Sequence, residues 1–142
     1  MTVKAILKEK GGNVFSMSPD ATLAEVAQEL SKHKVGALLI MDGDQLVGIL
    51  SERDIVRHIA SAGAEALKVT ASSVMTKSVQ TASPDDLVDD VMQRMTSSRF
   101  RHMPVVESGK VAGLISIGDV VKVKIEQAIR ERDQIRDYIL ST

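Results

Sequence analysis

Apolar positions along the chain fall into two runs of the same shape. After Thr22, the residues Leu23, Val26, Ala27 and Leu30 recur at the spacing of one helix face, and Thr22 with Glu25 supplies a capping box. Ala37-Leu38-Leu39-Ile40-Met41 then runs without a polar break, as a strand covered on both faces does. Asp42-Gly43-Asp44 carries turn chemistry, residues 46–50 read as a second strand, and Ser51 opens a helix through Ile55, Val56 and Ile59 that ends near Ala62-Gly63. With the short apolar segment 14–17 in front, the predicted order is strand, helix, strand, strand, helix.

The second run repeats this order. Residues 79–81 match the first segment, Ser83-Pro84-Asp85-Asp86 the helix start, and Val88, Val91, Met92 and Met95 the apolar stripe. Strands are predicted at 103–106 and 111–115, joined at Glu107-Ser108-Gly109. Pro19 and Pro84, Gly48 and Gly113, and Asp54 and Asp119 are each 65 positions apart, so one unit has been duplicated. Residues 64–73 read as a small, polar surface linker. The last helix is predicted to continue from Ile117 through Ile125, Ile129 and Ile135 towards Leu140 as an amphipathic tail. The expected fold is α/β (α+β): two β-α-β-β-α repeats at 14–63 and 74–124, an N-terminal segment 1–13 packed on the pair, and a helical extension 125–142.

Composition narrows the classes. A chain of 142 residues reads as one compact unit, because either half alone buries too little of its surface to be stable. There is no run of about 18 apolar residues and no signal-type core after Met1-Thr2-Val3-Lys4, so a cytoplasmic protein without membrane association is expected. Cysteine is absent, which excludes disulfides, zinc thiolates and a thiol nucleophile. A net charge of -1 with 2% aromatic residues argues against nucleic acid as a partner. Lys4, Lys8 and Lys10 read as a solvated helix face, and the methionines Met41, Met92, Met95 and Met103 as core filling.

The candidate chemistry lies in a motif present twice: Gly48-Ile49-Leu50-Ser51-Glu52-Arg53-Asp54 and Gly113-Leu114-Ile115-Ser116-Ile117-Gly118-Asp119. The plainer explanation is helix capping by Ser and Asp, worth about 0.5 to 2 kcal/mol. Against capping alone, both copies keep Gly, Ser and Asp while Glu52-Arg53 becomes Ile117-Gly118. A Gly lets a ligand approach backbone, a helix start offers free N–H groups, and an Asp accepts two hydrogen bonds from a vicinal diol. Those parts suit a ribose phosphate. Asp85-Asp86 and Asp89-Asp90 read as dipole partners at a helix start. His33 and His58 read as surface residues, and no metal-ligand spacing emerges. Three His, no Cys, no Gly-x-Ser-x-Gly elbow and no P-loop leave no assembled nucleophile and base, so no catalytic residues are expected.

These residues, with Arg101-His102-Met103-Pro104-Val105-Val106 in the second repeat, resemble a tandem pair of CBS domains over residues 6–122. That family is also called the Bateman module. The resemblance implies a stand-alone regulatory pair with pseudo-two-fold symmetry, two clefts that each take an adenosine nucleotide, and a homodimer. Carried over by position, Asp119 and Ser116 would hold one ribose, with Gly12, Asn13, Val14, Val35, Gly36 and Ala37 around the base. Asp54 and Ser51 would hold the other, with Thr76, Lys77, Ser78, Val79 and Phe100 completing the pocket. Arg53, Arg101 and His102 would face phosphates. Because Val35-Gly36-Ala37 stands where the second repeat has Phe100-Arg101-His102, unequal clefts are expected, with better phosphate neutralisation near Asp54. AMP is the foremost ligand, with ATP, NAD(H) or S-adenosylmethionine as others, in an energy or redox sensor acting on an unidentified protein. The alternative is a ligand-free adaptor that binds a partner through its C-terminal helix.

Overall fold

The computed structural model describes residues 1–141. Repeat one contains β1 (Ser16–Met17), α2 (Leu23–His33), β2 (Ala37–Asp42), β3 (Gln45–Ser51) and α3 (Glu52–Ala62). Repeat two contains α5 (Val88–Ser98), β4 (His102–Glu107), β5 (Lys110–Ser116) and the long α6 (Ile117–Ser141). An N-terminal helix α1 (Val3–Lys10) precedes the first repeat, and a 3-10 turn at Gly63–Lys68 leads to the short α4 (Ala71–Val74). The capping box of α2 is present, with Thr22 Oγ1 accepting from Glu25 N at 3.2 Å and Glu25 Oε1 accepting from Thr22 N at 3.2 Å.

The hairpins β2–β3 and β4–β5 are antiparallel with the same register, Ala37 opposite Ser51 and His102 opposite Ser116. They differ in the strand laid beside them. In repeat one, β1 pairs in parallel with β2, and Leu39 N donates to Phe15 O at 3.0 Å. The predicted strand at 79–81 shrinks to a single bridge between Ala82 and Val105. The cause is Pro104, which stands 65 positions after Leu39 and has no N–H to donate. The second helix start also departs from expectation. Leu87 replaces the capping Thr22 and provides no side-chain cap, so α5 begins at Val88, while Asp86 Oδ2 accepts from Ser83 N at 2.9 Å in the turn before it.

Two apolar clusters form the core, one per repeat. Leu23, Val26, Leu30, Leu38, Ile40, Leu50, Ile55 and Ala71 make the first. Val88, Val91, Met95, Met103, Val105, Ile115, Val120 and Val123 make the second, together with Val3 and Ile6 of α1. Each repeat is thus completed by a segment that precedes the other repeat in sequence. Thr2 bridges Leu87 in repeat two, and Thr70 bridges Thr22 in repeat one. The supposed surface linker is part of this arrangement, because Ala66 and Ala71 are fully buried and Ala71 N donates to Ala21 O at 2.7 Å. His33 stacks on Phe15 with ring centroids 3.8 Å apart and pairs with Glu29, a structural role.

Candidate functional site

The glycines of the repeated motif serve packing. A Cβ on Gly48 would meet Met75 Cγ at 2.7 Å, and one on Gly113 would meet Leu7 Cδ2 at 2.6 Å. The expectation that these glycines admit a ligand is corrected: side chains of the covering segments already lie on them.

The Ser and Asp residues form capping boxes. Asp54 Oδ2 accepts from Ser51 N at 2.9 Å and Ser51 Oγ at 3.1 Å, and Ser51 Oγ accepts from Asp54 N at 3.4 Å. Asp119 Oδ2 accepts from Ser116 N at 2.8 Å and Ser116 Oγ at 3.0 Å. The capping explanation is therefore realised in both copies. It engages Oδ2 alone, so Oδ1 of each carboxylate has no hydrogen-bond partner among the described residues.

Beside Asp54 the two repeats enclose a cleft of about 490 Å³, within the size range of small-molecule sites. Ser51, Arg53, Asp54, Thr76, Ser78, Val79, Phe100, Arg101 and His102 all line it, bringing together most of the residues expected at this ribose. Lys77 is exposed and does not line it. Gly36 and Ser116, expected with the opposite cleft, line this one too, because the starts of β2 and β4 meet at the seam between the repeats. Of the rest expected near Asp119, Ala37 is buried, Val35 packs against the core of repeat one, Asn13 is exposed, and Val14 is half-buried. A Cβ on Gly12 would lie 3.0 Å from Ala112 O, so that segment runs close against β5.

Several lining residues were not anticipated: Glu52, Arg57, Gln80, Ser98 and Arg99. Arg57 was within reach of the sequence, since it lies one helical turn beyond Arg53 and so on the same face. Arg99 is delivered by a left-handed residue, φ 57°, at the end of α5, which no periodicity signals. Arg53, Arg57, Arg99 and Arg101 thus meet Glu52 and Asp54 at one cleft, a cationic excess suited to phosphate. Burial first, then the charge of Lys10, lowers the His102 pKa, although Glu52 and Asp119 oppose this. His102 therefore favours its neutral form, which can donate or accept one hydrogen bond at each nitrogen.

Asp119 has a different neighbour. Lys10 Nζ lies 2.7 Å from its Oδ2 and 2.8 Å from Leu114 O. Lys10 is not part of a merely solvated face, as the sequence reading had it. Burial raises the Asp119 pKa, but the Lys10 hydrogen bond, the Ser116 hydrogen bonds and the Lys10 charge together lower it further. Among the described residues, no group of three or more His, Cys, Asp or Glu could hold a metal ion.

The sequence profile of the CBS domain matches residues 3–61 and 71–126, two copies that together span most of the chain. The chain belongs to the CBS-domain family. A mitochondrial CBS domain-containing protein of Arabidopsis thaliana, CBSX3, is 32% identical over 97% of this chain and 71% of its own length. A CBS-domain containing protein from Agrobacterium tumefaciens has a similar structure, with 42% identity and a TM-score of 0.86 over 87% of this chain and 99% of that one. Two other CBS structures hold adenosine compounds. The CBS domain pair of protein MJ0100 is in complex with 5'-methylthioadenosine and S-adenosyl-L-methionine, at 29% identity and TM-score 0.79 over 89% of this chain and 98% of its own. A CBS domain protein from Pyrobaculum aerophilum is complexed with AMP, at 28% identity and TM-score 0.75 over 84% of this chain and 89% of its own. This CBS pair has no helix, among its described residues, long and apolar enough to cross a membrane.

Proposed function

We propose that this CBS pair is a non-catalytic regulatory module that binds an adenosine nucleotide in the cleft beside Asp54, with AMP foremost. The observation that carries the reading is the meeting of Ser51 and Asp54 with four arginines in one cavity of about 490 Å³. Asp54 Oδ1 takes a ribose hydroxyl, Phe100 and Val79 supply apolar surface for the base, and Arg53, Arg57, Arg99 and Arg101 neutralise phosphate. The same charge disfavours S-adenosylmethionine, whose sulfonium is cationic and which carries no phosphate, and favours ATP or NAD(H) as further ligands. His102, neutral at the seam, donates to a phosphate oxygen. Ligand contacts to both repeats stabilise one relative arrangement, and a regulated protein reads that arrangement. A cytoplasmic homodimer sensing energy or redox state is the setting this reading expects.

Thermal unfolding with and without nucleotide tests it. At a hundred times the dissociation constant, AMP adds about 2.7 kcal/mol of stability; no shift with AMP, ATP or NAD(H) overturns the reading. The adaptor alternative draws on α6, where Ile125, Ile129, Ile135, Tyr138 and Leu140 are exposed. It predicts no nucleotide-dependent shift and loss of a partner when α6 is shortened.

A further inference from the structure

The two repeats are covered differently at their motif strands, and the difference ends on a carboxylate. α4 lays Met75 on Gly48 and stops there; Thr76 N then donates to Ile49 O at 2.9 Å. α1 lays Leu7 on Gly113 in the same way but continues for another turn. That extra turn carries Lys10, whose ammonium reaches Leu114 O, the carbonyl matching Ile49 O, and goes on to Asp119 Oδ2. The helix delivering it is held at both ends. Val3 and Ile6 sit in the core of repeat two, and Glu9 pairs with Lys122 of α6 at 3.6 Å.

We infer that Lys10 is a tethered cation that guards the Asp119 half of the pair, so that nucleotide enters the Asp54 cleft first and gains the Asp119 cleft only by displacing the ammonium. This rests on the nucleotide reading above. A ribose diol donates its hydrogen bonds to a carboxylate, as Lys10 does, and Lys10 on Oδ2 holds an ammonium beside the Oδ1 that the sugar would use, so sugar and ammonium compete for one carboxylate. Among the described residues Asp54 has no such competitor, because Met75 is uncharged and α4 ends before the position of Lys10. The short reach of a fixed helix makes the competitor effectively concentrated. Lys10 is thereby a specificity-determining residue that adds to the difference the arginines of the Asp54 cleft already make between the two sites.

Calorimetric titration with AMP compares the full chain with Lys10→Met, which keeps the stem but removes the charge, and Lys10→Arg, which keeps the charge. The wild type is expected to bind one AMP per chain tightly. In Lys10→Met a second site appears, or tightens by about tenfold, the scale of a hydrogen bond to a charged group, while Lys10→Arg stays like the wild type. Two equal sites in the wild type, or an unchanged second step in Lys10→Met, overturn the inference and leave the nucleotide reading standing. No binding by any of the three proteins overturns both.

Discussion

His102 lies against Gly36 across the seam between the repeats: a Cβ built on Gly36 would stand 3.4 Å from His102 Nε2 and 3.6 Å from Glu52 Oε1. A methyl at position 36 would stand in ordinary van der Waals contact with the imidazole. The same closeness buries the ring, and burial is the main reason its pKa falls below the ordinary 6.5. The unfolded chain therefore binds a proton at His102 more readily than the folded chain does. Stability from this group is present above 6.5 and is lost as pH falls through the lowered folded value. Denaturant unfolding between pH 8 and pH 5 should show that loss, and His102→Gln should remove this component of the slope. Identical slopes in the two proteins would contradict it.

Asp54 has two jobs that mutation can separate. Asp54→Ala removes the cap as well as the ribose acceptor and should cost about 0.5 to 2 kcal/mol of stability. Asp54→Asn keeps an oxygen that can accept from Ser51 N, so most stability should remain. Its nucleotide affinity should still fall by roughly ten- to a hundredfold, since hydrogen bonds to a charged acceptor are worth about 1.5 to 3 kcal/mol. Chemical denaturation and calorimetry on both variants check the split.

Arg57 and Arg99 should act on phosphate alone. Arg57→Met and Arg99→Met are expected to weaken AMP and, more strongly, ATP, while leaving adenosine nearly unchanged, and the wild-type preference for ATP over adenosine should shrink with added salt. Equal losses for adenosine and ATP would place both side chains away from the phosphates.

The motif glycines offer a packing test. Gly113→Ala forces Leu7 to shift, because the new methyl would fall 2.6 Å from Leu7 Cδ2, and overpacking of this kind costs about 1 to 3 kcal/mol. Leu7→Ala in the same chain should recover part of that loss. The expected signature is a non-additive double-mutant cycle in thermal stability.

Much of the fold was legible because it is written in local pattern. The 65-residue register, the Thr22–Glu25 box and both hairpins follow from periodicity and turn residues that act within a few positions. What escaped depends on distant partners. Packing of the N-terminal segment on the pair was expected, but that Val3 and Ile6 complete the core of repeat two shows only in the folded chain. Lys10 reads as a solvated cation until α1 is placed over β5. The shortened strand at Ala82 could have been foreseen, since Pro104 stands in a predicted pairing position and cannot donate. At the site, Arg53 and Arg101 were found through the motif and the resemblance, whereas Arg99 enters the cleft from a helix end whose left-handed turn left no trace in hydrophobic spacing.

The most direct test is amide chemical-shift mapping during titration with AMP. The account predicts saturable perturbations concentrated at Ser51 to Asp54, Thr76 to Gln80 and Arg99 to His102, and greatly weakened in Asp54→Asn. Perturbations confined to α6, or none at saturating AMP, would contradict it.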